Sequence, residues 1–129
     1  TNQNPVYYVQ YAHARICSIF KNLAAEGIAP RAVTPEELDR LTAPEERELI
    51  RQIASLPDEI IAAAHNYDPA RMTHYVIDAA TLFHKFYNAC RVKGEDESLM
   101  QARLALCQAT RTVLENVLGL LKISAPESM

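Results

Sequence analysis

The feature that most constrains the fold is a run of apolar residues at helical spacing between positions 72 and 90. Intervals of four and three residues alternate along it, at Met72, Val76, Ala79, Phe83, Phe86 and Cys90. Because an α-helix has about 3.6 residues per turn, this spacing places all of them on one face. Sheets have little support, since the chain has only 3 glycines and no Asn-Gly or Asp-Gly pair for a hairpin. We therefore expect an all-α protein.

Proline and glycine mark the boundaries of the other predicted helices. Asn4-Pro5 has the pattern of a helix start, with a capping side chain followed by proline, and Gly27 has the pattern of a helix end. The predicted helices run, in chain order, from Pro5 to about Glu26, through a short turn at Pro35, from Pro44 to about Leu56, from Pro57 through Ala64, from Pro69 to about Cys90, and from about Ser98 to Leu121. Residues 1–129 are therefore expected to form a single bundle of five or six helices.

Two of these helices carry apolar stripes that are expected to face the core. The stripe of the first helix comprises Val9, Ala12, Ile16, Ile19, Phe20 and Leu23. The stripe of the last helix comprises Leu99, Ala102, Leu106, Ala109, Val113, Val117 and Leu120. Acidic pairs and triplets at the helix starts are explained by the helix dipole and by solvation. They occur at Glu36-Glu37, Glu45-Glu46 and Glu95-Asp96-Glu97.

Charge and cysteine content exclude several classes of protein. A net charge of −3 argues against a large non-specific nucleic-acid surface, although a small RNA site that stacks single-stranded bases is compatible with it. Cys17, Cys90 and Cys107 form no C-x-x-C pair, which argues against a disulfide framework and a zinc site. We expect three buried, reduced thiols. The sequence has no signal peptide and no apolar run of membrane-spanning length, so we expect a cytoplasmic chain that makes no membrane contact.

Nothing in the sequence has the pattern of a catalytic centre. The four histidines, His13, His65, His74 and His84, are scattered and form no H-E-x-x-H motif. No nucleophile elbow and no glycine-rich phosphate loop is present. We therefore expect no catalytic residue, no metal and no cofactor in this chain.

The segment PVYYVQYAHAR, from Pro5 to Arg15, carries the most unusual side chains. Tyr8, Tyr11 and Arg15 fall together on a second face of the first helix, roughly 80 to 140° from its apolar stripe. Two phenols and a guanidinium in a row could stack on unpaired bases. Alternatively, neighbouring helices cover this face and the rings belong to the core. Tyr87, at the shoulder of the long-helix stripe, has the same ambiguity, and its neighbours His84 and Lys85 are expected to be exposed.

Four segments in order carry a resemblance to a known family. The segment NPVYYVQYAHARI resembles the opening of the C-terminal anticodon-binding domain of arginyl-tRNA synthetases. LFHKFYNACRVKGEDE and ARLALCQATRTVLENVLGLL look like its middle and last motifs, the last being the stretch that gives the DALR domain its name. The closing SAPESM is similar to a family ending with arginine before the final methionine. The resemblance implies a helical bundle that binds the tRNA-Arg anticodon loop and recognises chiefly its middle cytosine and third base.

The resemblance also implies which residues contact RNA. They would be Tyr8, Tyr11 and Arg15 on the first helix, Tyr87 on the long helix, and Met129. A carboxylate is a good acceptor for the N4 amino group of cytosine, so the Met129 carboxylate would read that base. The chain departs from the family pattern at two positions in this region. Ser128 replaces an arginine, and Lys122 stands where a helix-terminating glycine is common, so the tail is expected to leave its helix differently.

The resemblance places this chain as a DALR-type domain, 1–129, from the C-terminal part of a longer synthetase. The class I signatures HIGH and KMSKS are absent from it. ATP and Mg would be used by the catalytic domain of the parent arginine–tRNA ligase, which would also be an intramolecular partner. We expect a monomer that binds tRNA and catalyses nothing. Two alternatives stay open: a helical protein-interaction or structural module in which the tyrosines anchor a protein interface, and the DALR domain of another synthetase. Tyr7 has no assigned role beyond a contact with a neighbouring domain.

Overall fold

Six helices and no strand are formed by the residues that the structure, a computed structural model, describes: 4–94 and 96–129. In chain order they are α1 (Pro5–Ala25), α2 (Pro35–Leu38), α3 (Pro44–Ala54), α4 (Leu56–Asn66), α5 (Pro69–Ala89) and α6 (Glu97–Leu120). The predicted all-α bundle is confirmed, and the helix boundaries agree with the prediction to within a few residues. Glu95 of the acidic triplet and residues 1–3 lie outside the described residues.

The helix starts follow the sequence signals. Asn4 Oδ1 accepts a hydrogen bond from Val6 N at 2.9 Å, which satisfies one of the unpaired N–H groups of the first turn. Thr34 and Glu37 form a capping box at α2, in which each side chain accepts from the other residue's N–H. Proline occupies the first or second position of five helices, where its missing N–H costs nothing.

The core forms around α5, which packs against α1, α3, α4 and α6. Its predicted stripe is confirmed, because all six side chains are buried. Phe83 and Phe86 are fully buried and contribute the largest rings to the core. The stripe of α1 is confirmed as well, with Phe20 only half-buried under the Arg111 guanidinium at 4.9 Å.

The predicted stripe of α6 is partly wrong. Ala109 is exposed and Leu120 is 58% exposed, whereas Leu104, Leu114 and Leu118, outside the predicted stripe, are buried. The buried residues Met100, Leu104, Cys107 and Leu114 lie beside the predicted row, so the prediction placed the stripe at one edge of the buried face. In addition, α6 packs against α1, α2, α3 and α5, so its buried surface is wider than one stripe.

One member of the acidic pairs is not solvated. Glu46 is 1% exposed, and its carboxylate accepts from Arg103 Nε at 2.8 Å and from Ala43 N at 3.0 Å. These contacts join the start of α3 to α6. The solvated interpretation was therefore wrong for Glu46, because Arg103, 57 positions away, approaches it in the fold.

Three helices end with the same left-handed residue geometry. The residues with positive φ are Gly27 after α1 (φ 79°), Tyr67 after α4 (φ 52°) and Lys122 after α6 (φ 59°). After α6, Lys122 N donates to Gly119 O at 3.0 Å and Ile123 N donates to Leu118 O at 2.8 Å. This pair of bonds defines a Schellman ending. Lys122 therefore adopts the conformation that a glycine would favour there. The expected difference in how the tail leaves α6 is not observed.

Candidate nucleic-acid interface

The aromatic face of α1 meets α5 at a histidine. The His84 ring centroid lies 5.3 Å from that of Tyr8 and 6.1 Å from that of Tyr11. His84 is half-buried, so the expectation that it would be exposed was wrong. The sequence places it beside the α5 stripe, but only the packing of α1 on α5 brings two phenol rings onto it.

Arg15 is held on two sides by α5. Its Nη1 lies 3.1 Å from His84 Nδ1, and its guanidinium carbon lies 4.7 Å from the Tyr87 ring centroid. Arginine only donates hydrogen bonds, so His84 Nδ1 accepts and the imidazole proton is on Nε2. Burial, followed by the Arg15 charge, lowers the pKa of His84 and keeps the ring neutral. The Arg15 guanidinium is thus held over the Tyr87 ring within the range of a cation–π contact.

His84 Nε2 is buried and has no hydrogen-bond partner among the described residues. With Nδ1 occupied by Arg15, Nε2 carries the hydrogen and is an unsatisfied donor. An unpaired buried donor costs free energy, and such atoms occur at only a few positions per native protein. His84 Nε2 lies at the centre of the aromatic cluster, where this unsatisfied donor distinguishes His84 from an ordinary core histidine.

The face is partly open, so neither of the two sequence interpretations holds completely. Tyr11 is 46% exposed, while Tyr8, Arg15 and Tyr87 are half-buried. Tyr87 also stacks on Phe83, with centroids 5.9 Å apart and planes 16° apart. The rings are thus fixed at the edge of the core and keep solvent-facing surface.

Met129 lies beside the same cluster. A cavity of about 250 Å³ is lined by Tyr11, Ala14, Arg15, Ser18, Ser128 and Met129. Met129 is 53% exposed. The structure therefore brings together all five residues singled out from the sequence: Tyr8, Tyr11, Arg15, Tyr87 and Met129. Tyr7, for which only a contact with a neighbouring domain was expected, is 36% exposed on α1.

The tail after α6 is held on α1 by two side chains. Gln10 Nε2 donates to Ser124 O at 3.0 Å, and His13 Nδ1 lies 2.9 Å from Pro126 O. The other ring nitrogen of His13, Nε2, lies 2.7 Å from Glu115 Oε1 on α6. Sequence reasoning missed these contacts, because the partners lie more than a hundred positions away. The sequence shows only that His13 lies at the edge of an apolar stripe. That position is typical of many core histidines and does not indicate a contact with the tail.

The chemistry of this interface is that of stacking and hydrogen bonding. Phenol rings, a guanidinium, a thioether and a carboxyl group surround a partly open surface. In residues 4–94 and 96–129, no three histidines, cysteines or acidic residues come together as metal ligands. None of the described helices combines the length and apolar character that crossing a bilayer requires. Of the thiols, Cys90 and Cys107 are buried and Cys17 is partly exposed, so the expected burial is correct for two of the three.

Comparison with known proteins gives a consistent result. Residues 9–129 match the family model described as the DALR anticodon binding domain. The arginine–tRNA ligase of Ruminiclostridium cellulolyticum is 56% identical over 129 residues, which are 100% of this chain and 23% of that protein. That of Acetivibrio thermocellus is 52% identical with the same coverage. The structure of Thermus thermophilus arginyl-tRNA synthetase superposes with a TM-score of 0.81 at 32% identity, covering 95% of this chain and 21% of that one. This chain thus spans less than a quarter of the length of these curated relatives.

Proposed function

This chain belongs to the DALR anticodon binding domain family, and we propose that it binds the anticodon loop of tRNA-Arg as one module of an arginyl-tRNA synthetase. The observation that carries the proposal is the cluster of Tyr8, Tyr11, Arg15, Tyr87 and Met129 on one partly open surface. The parent protein would join arginine to tRNA with ATP and Mg in a separate catalytic domain. This module would contribute recognition and no chemical step.

Stacking supplies the affinity in this proposal. Tyr11 is 46% exposed and can accept an unstacked base, and the half-buried Tyr8 and Tyr87 are held by their contacts with His84 and Phe83. Each base stacked on an aromatic side chain contributes about 1–3 kcal/mol. Rings already fixed by His84 and Phe83 lose little conformational entropy on binding, which favours the complex.

Hydrogen bonds supply the base selectivity. The carboxylate of Met129 would accept from the N4 amino group of the middle cytosine, a donor that uracil lacks. Arg15 uses one of its five N–H donors on His84, so its guanidinium keeps others for a base edge or a phosphate. With a net charge of −3, the chain has little capacity for non-specific attraction to RNA, so shape and hydrogen bonding carry the discrimination.

The test is a titration of a labelled tRNA-Arg anticodon stem-loop, followed by fluorescence anisotropy at fixed salt. Tyr11→Ala is expected to raise the Kd by roughly 5- to 150-fold, the equivalent of about 1–3 kcal/mol of stacking. Tyr87→Ala is expected to raise the Kd as well, because it removes the ring that holds the Arg15 guanidinium. Tyr67→Ala is the matched control, since Tyr67 is 92% exposed at the end of α4 and lies outside the cluster. Circular dichroism confirms that each variant keeps its helices.

Replacing the middle cytosine of the stem-loop separates the competing functions. Weaker binding to the replaced loop supports base-specific recognition, and equal binding to both loops contradicts it. A folded chain that binds neither loop would instead be a protein-interaction module. Tighter binding to another tRNA's stem-loop would indicate the DALR domain of another synthetase.

A further inference from the structure

We propose that His13 is a positioning residue that fastens the 124–129 tail to α1 and thereby fixes Met129 in the RNA interface. The inference rests on the proposed function, because it concerns how the same surface is assembled. His13 does not face the interface. It acts through the main chain of the tail, from the adjoining side of α1.

The hydrogen bonds of His13 fix its orientation. Its side chain is 1% exposed, and each ring nitrogen faces an oxygen: Pro126 O at 2.9 Å and Glu115 Oε1 at 2.7 Å. A carbonyl oxygen can only accept, so Nδ1 must donate to Pro126. The Glu115 carboxylate takes the second contact, which sets the plane of the ring. An imidazole buried between two acceptors cannot rotate without leaving both unpaired.

The contact between His13 and Pro126 limits the position of Met129, because the two tail residues are close along the chain. Pro126 is three residues before Met129, and an extended chain spans at most about 3.6 Å per residue. Anchoring Pro126 therefore keeps Met129 within about 11 Å of that point. Without this anchor, the last hydrogen-bonded point of the described chain before the C-terminus would be Ser124, and the same limit would grow to about 18 Å. Gln10, bonded to Ser124, supplies a second and weaker clasp.

The path of the last residues crosses α1. Glu127 and Ser128 line a depression with Cys17, Ser18 and Lys21. Met129 then lies with Tyr11 and Arg15 on the aromatic side. Residues 127–129 are exposed and contribute little to the core, so the order of this segment depends on the hydrogen bonds that His13 and Gln10 make to the tail. Order before binding matters, because each group that must be immobilised on binding weakens the complex.

The test compares two amides at position 13 in this 129-residue chain. In His13→Asn the side-chain N–H lies near the position of Nδ1 and can still donate to Pro126. In His13→Gln it lies near the position of Nε2 and can reach only Glu115. Two readouts are taken for each variant: the heteronuclear ¹⁵N NOE of the Ser128 and Met129 amides, and the Kd for the anticodon stem-loop.

The proposal expects the two variants to differ. His13→Gln should lower the NOE of both amides and raise the Kd by roughly tenfold, to the value of a chain truncated after Pro126. His13→Asn should stay near wild type in both readouts. Gln10→Ala, which removes only the two hydrogen bonds of a half-buried side chain to Ser124, should move both readouts in the same direction by less, and it serves as the variant if His13→Gln fails to fold.

Several outcomes would overturn the role of His13. They are an ordered tail in His13→Gln, a disordered tail with unchanged affinity, and equal losses in His13→Asn and His13→Gln. In each of these cases the wild-type chain still binds the stem-loop, so the proposed function stands. A wild-type chain that does not bind the stem-loop would overturn the proposed function, whatever the mobility of its tail.

Discussion

Lys122 is a single residue on which the direction of the whole tail depends. It adopts φ 59°, a left-handed conformation that costs an L-residue with a side chain about 1–2 kcal/mol. The two Schellman hydrogen bonds of α6 hold it there. The geometry that leads the tail toward α1 is therefore maintained against a local backbone preference.

Lys122→Gly should stabilise the chain by about 1 kcal/mol, because glycine adopts positive φ without steric cost. The gain is reduced by the greater freedom of glycine in the unfolded chain. Urea unfolding followed by circular dichroism measures it. Lys122→Ala is the control, since it removes the same charged side chain and keeps the Cβ. Equal stabilities of the Gly and Ala variants would show that Lys122 is not strained.

Single residues also show what could be learned of the interface from sequence. The spacing of Tyr8, Tyr11 and Arg15 predicts a common face, and the structure has it. The position of Tyr87 at the shoulder of the long-helix stripe left its role open, and its RNA contact and that of Met129 came only from the family resemblance. Spacing within one helix says nothing about another element. His84 and His13 were not predicted as parts of the interface. Their partners lie 69 to 113 positions away, and only the packed bundle brings them into contact.

The start of α6 is an element held by one carboxylate. Asp96 Oδ1 accepts from Leu99 N at 3.1 Å, and the carboxylate pairs with Arg40 from the turn after α2. The Arg40 hydrogen bond and the helix N–H lower the pKa of Asp96 to about 2. A carboxyl whose pKa falls on folding stabilises the fold above its unfolded value, near 4, and that stabilisation is lost as the pH falls toward 2.

Asp96→Asn should therefore reduce the acid sensitivity of the fold between about pH 4 and pH 2. Asparagine still caps the helix, so the variant retains the N-terminal turn, but it cannot titrate. Urea midpoints measured from pH 7 to pH 2 test this. Above about pH 5 the difference between the two proteins should be constant, which is the internal control. Parallel curves down to pH 2 would contradict the shifted pKa.

Two helices illustrate why element-level prediction succeeds in one place and fails in another. All six side chains of the predicted α5 stripe are buried, and the four helices around α5 also bury Tyr75 and Ala80, which lie outside that stripe. The stripe of α6 was extended to Ala109 and Leu120, which are exposed. Both residues are apolar and fit the helical spacing, but no other helix of the described chain covers them. The spacing of apolar residues predicts that a helix forms, but it does not predict which other helices pack against it.

The molecule as a whole has one core, and Cys107 lies inside it. Its side chain is fully buried, and burial raises the pKa of the thiol to about 12. At pH 8 only about one thiol in ten thousand at this position would be ionised, and the thiolate is the reactive form.

Iodoacetamide at pH 8 should therefore leave Cys107 unlabelled in the native chain, while Cys17, which is partly exposed, is labelled. In increasing urea the labelling of Cys107 should rise together with the loss of helical circular dichroism, since only global unfolding exposes it. Peptide mass spectrometry distinguishes the thiols. Labelling of Cys107 at the rate of Cys17 in native buffer would contradict a single cooperative core.

At this scale the sequence predicted the class, the helix count and most boundaries, because those follow from local periodicity and caps. It did not predict which helices touch. The buried Glu46–Arg103 pair and the clasped tail are consequences of that packing. Glu46 stands in an acidic segment typical of a solvated position, and His13 stands at the edge of an apolar stripe. Neither local setting identifies the distant partner.

The three occupied sides of α1 have a consequence for how freely its sequence can vary. Val9 and Ile16 fill the core, Tyr11 and Arg15 lie in the aromatic cluster, and His13 holds the tail. A substitution that shifts or rotates the helix to improve the packing of one side also displaces the side chains on the other two sides, because one helix carries all of them. In a saturation library, tolerated changes in α1 should concentrate in its exposed last turns, at Lys21, Asn22, Ala24 and Ala25.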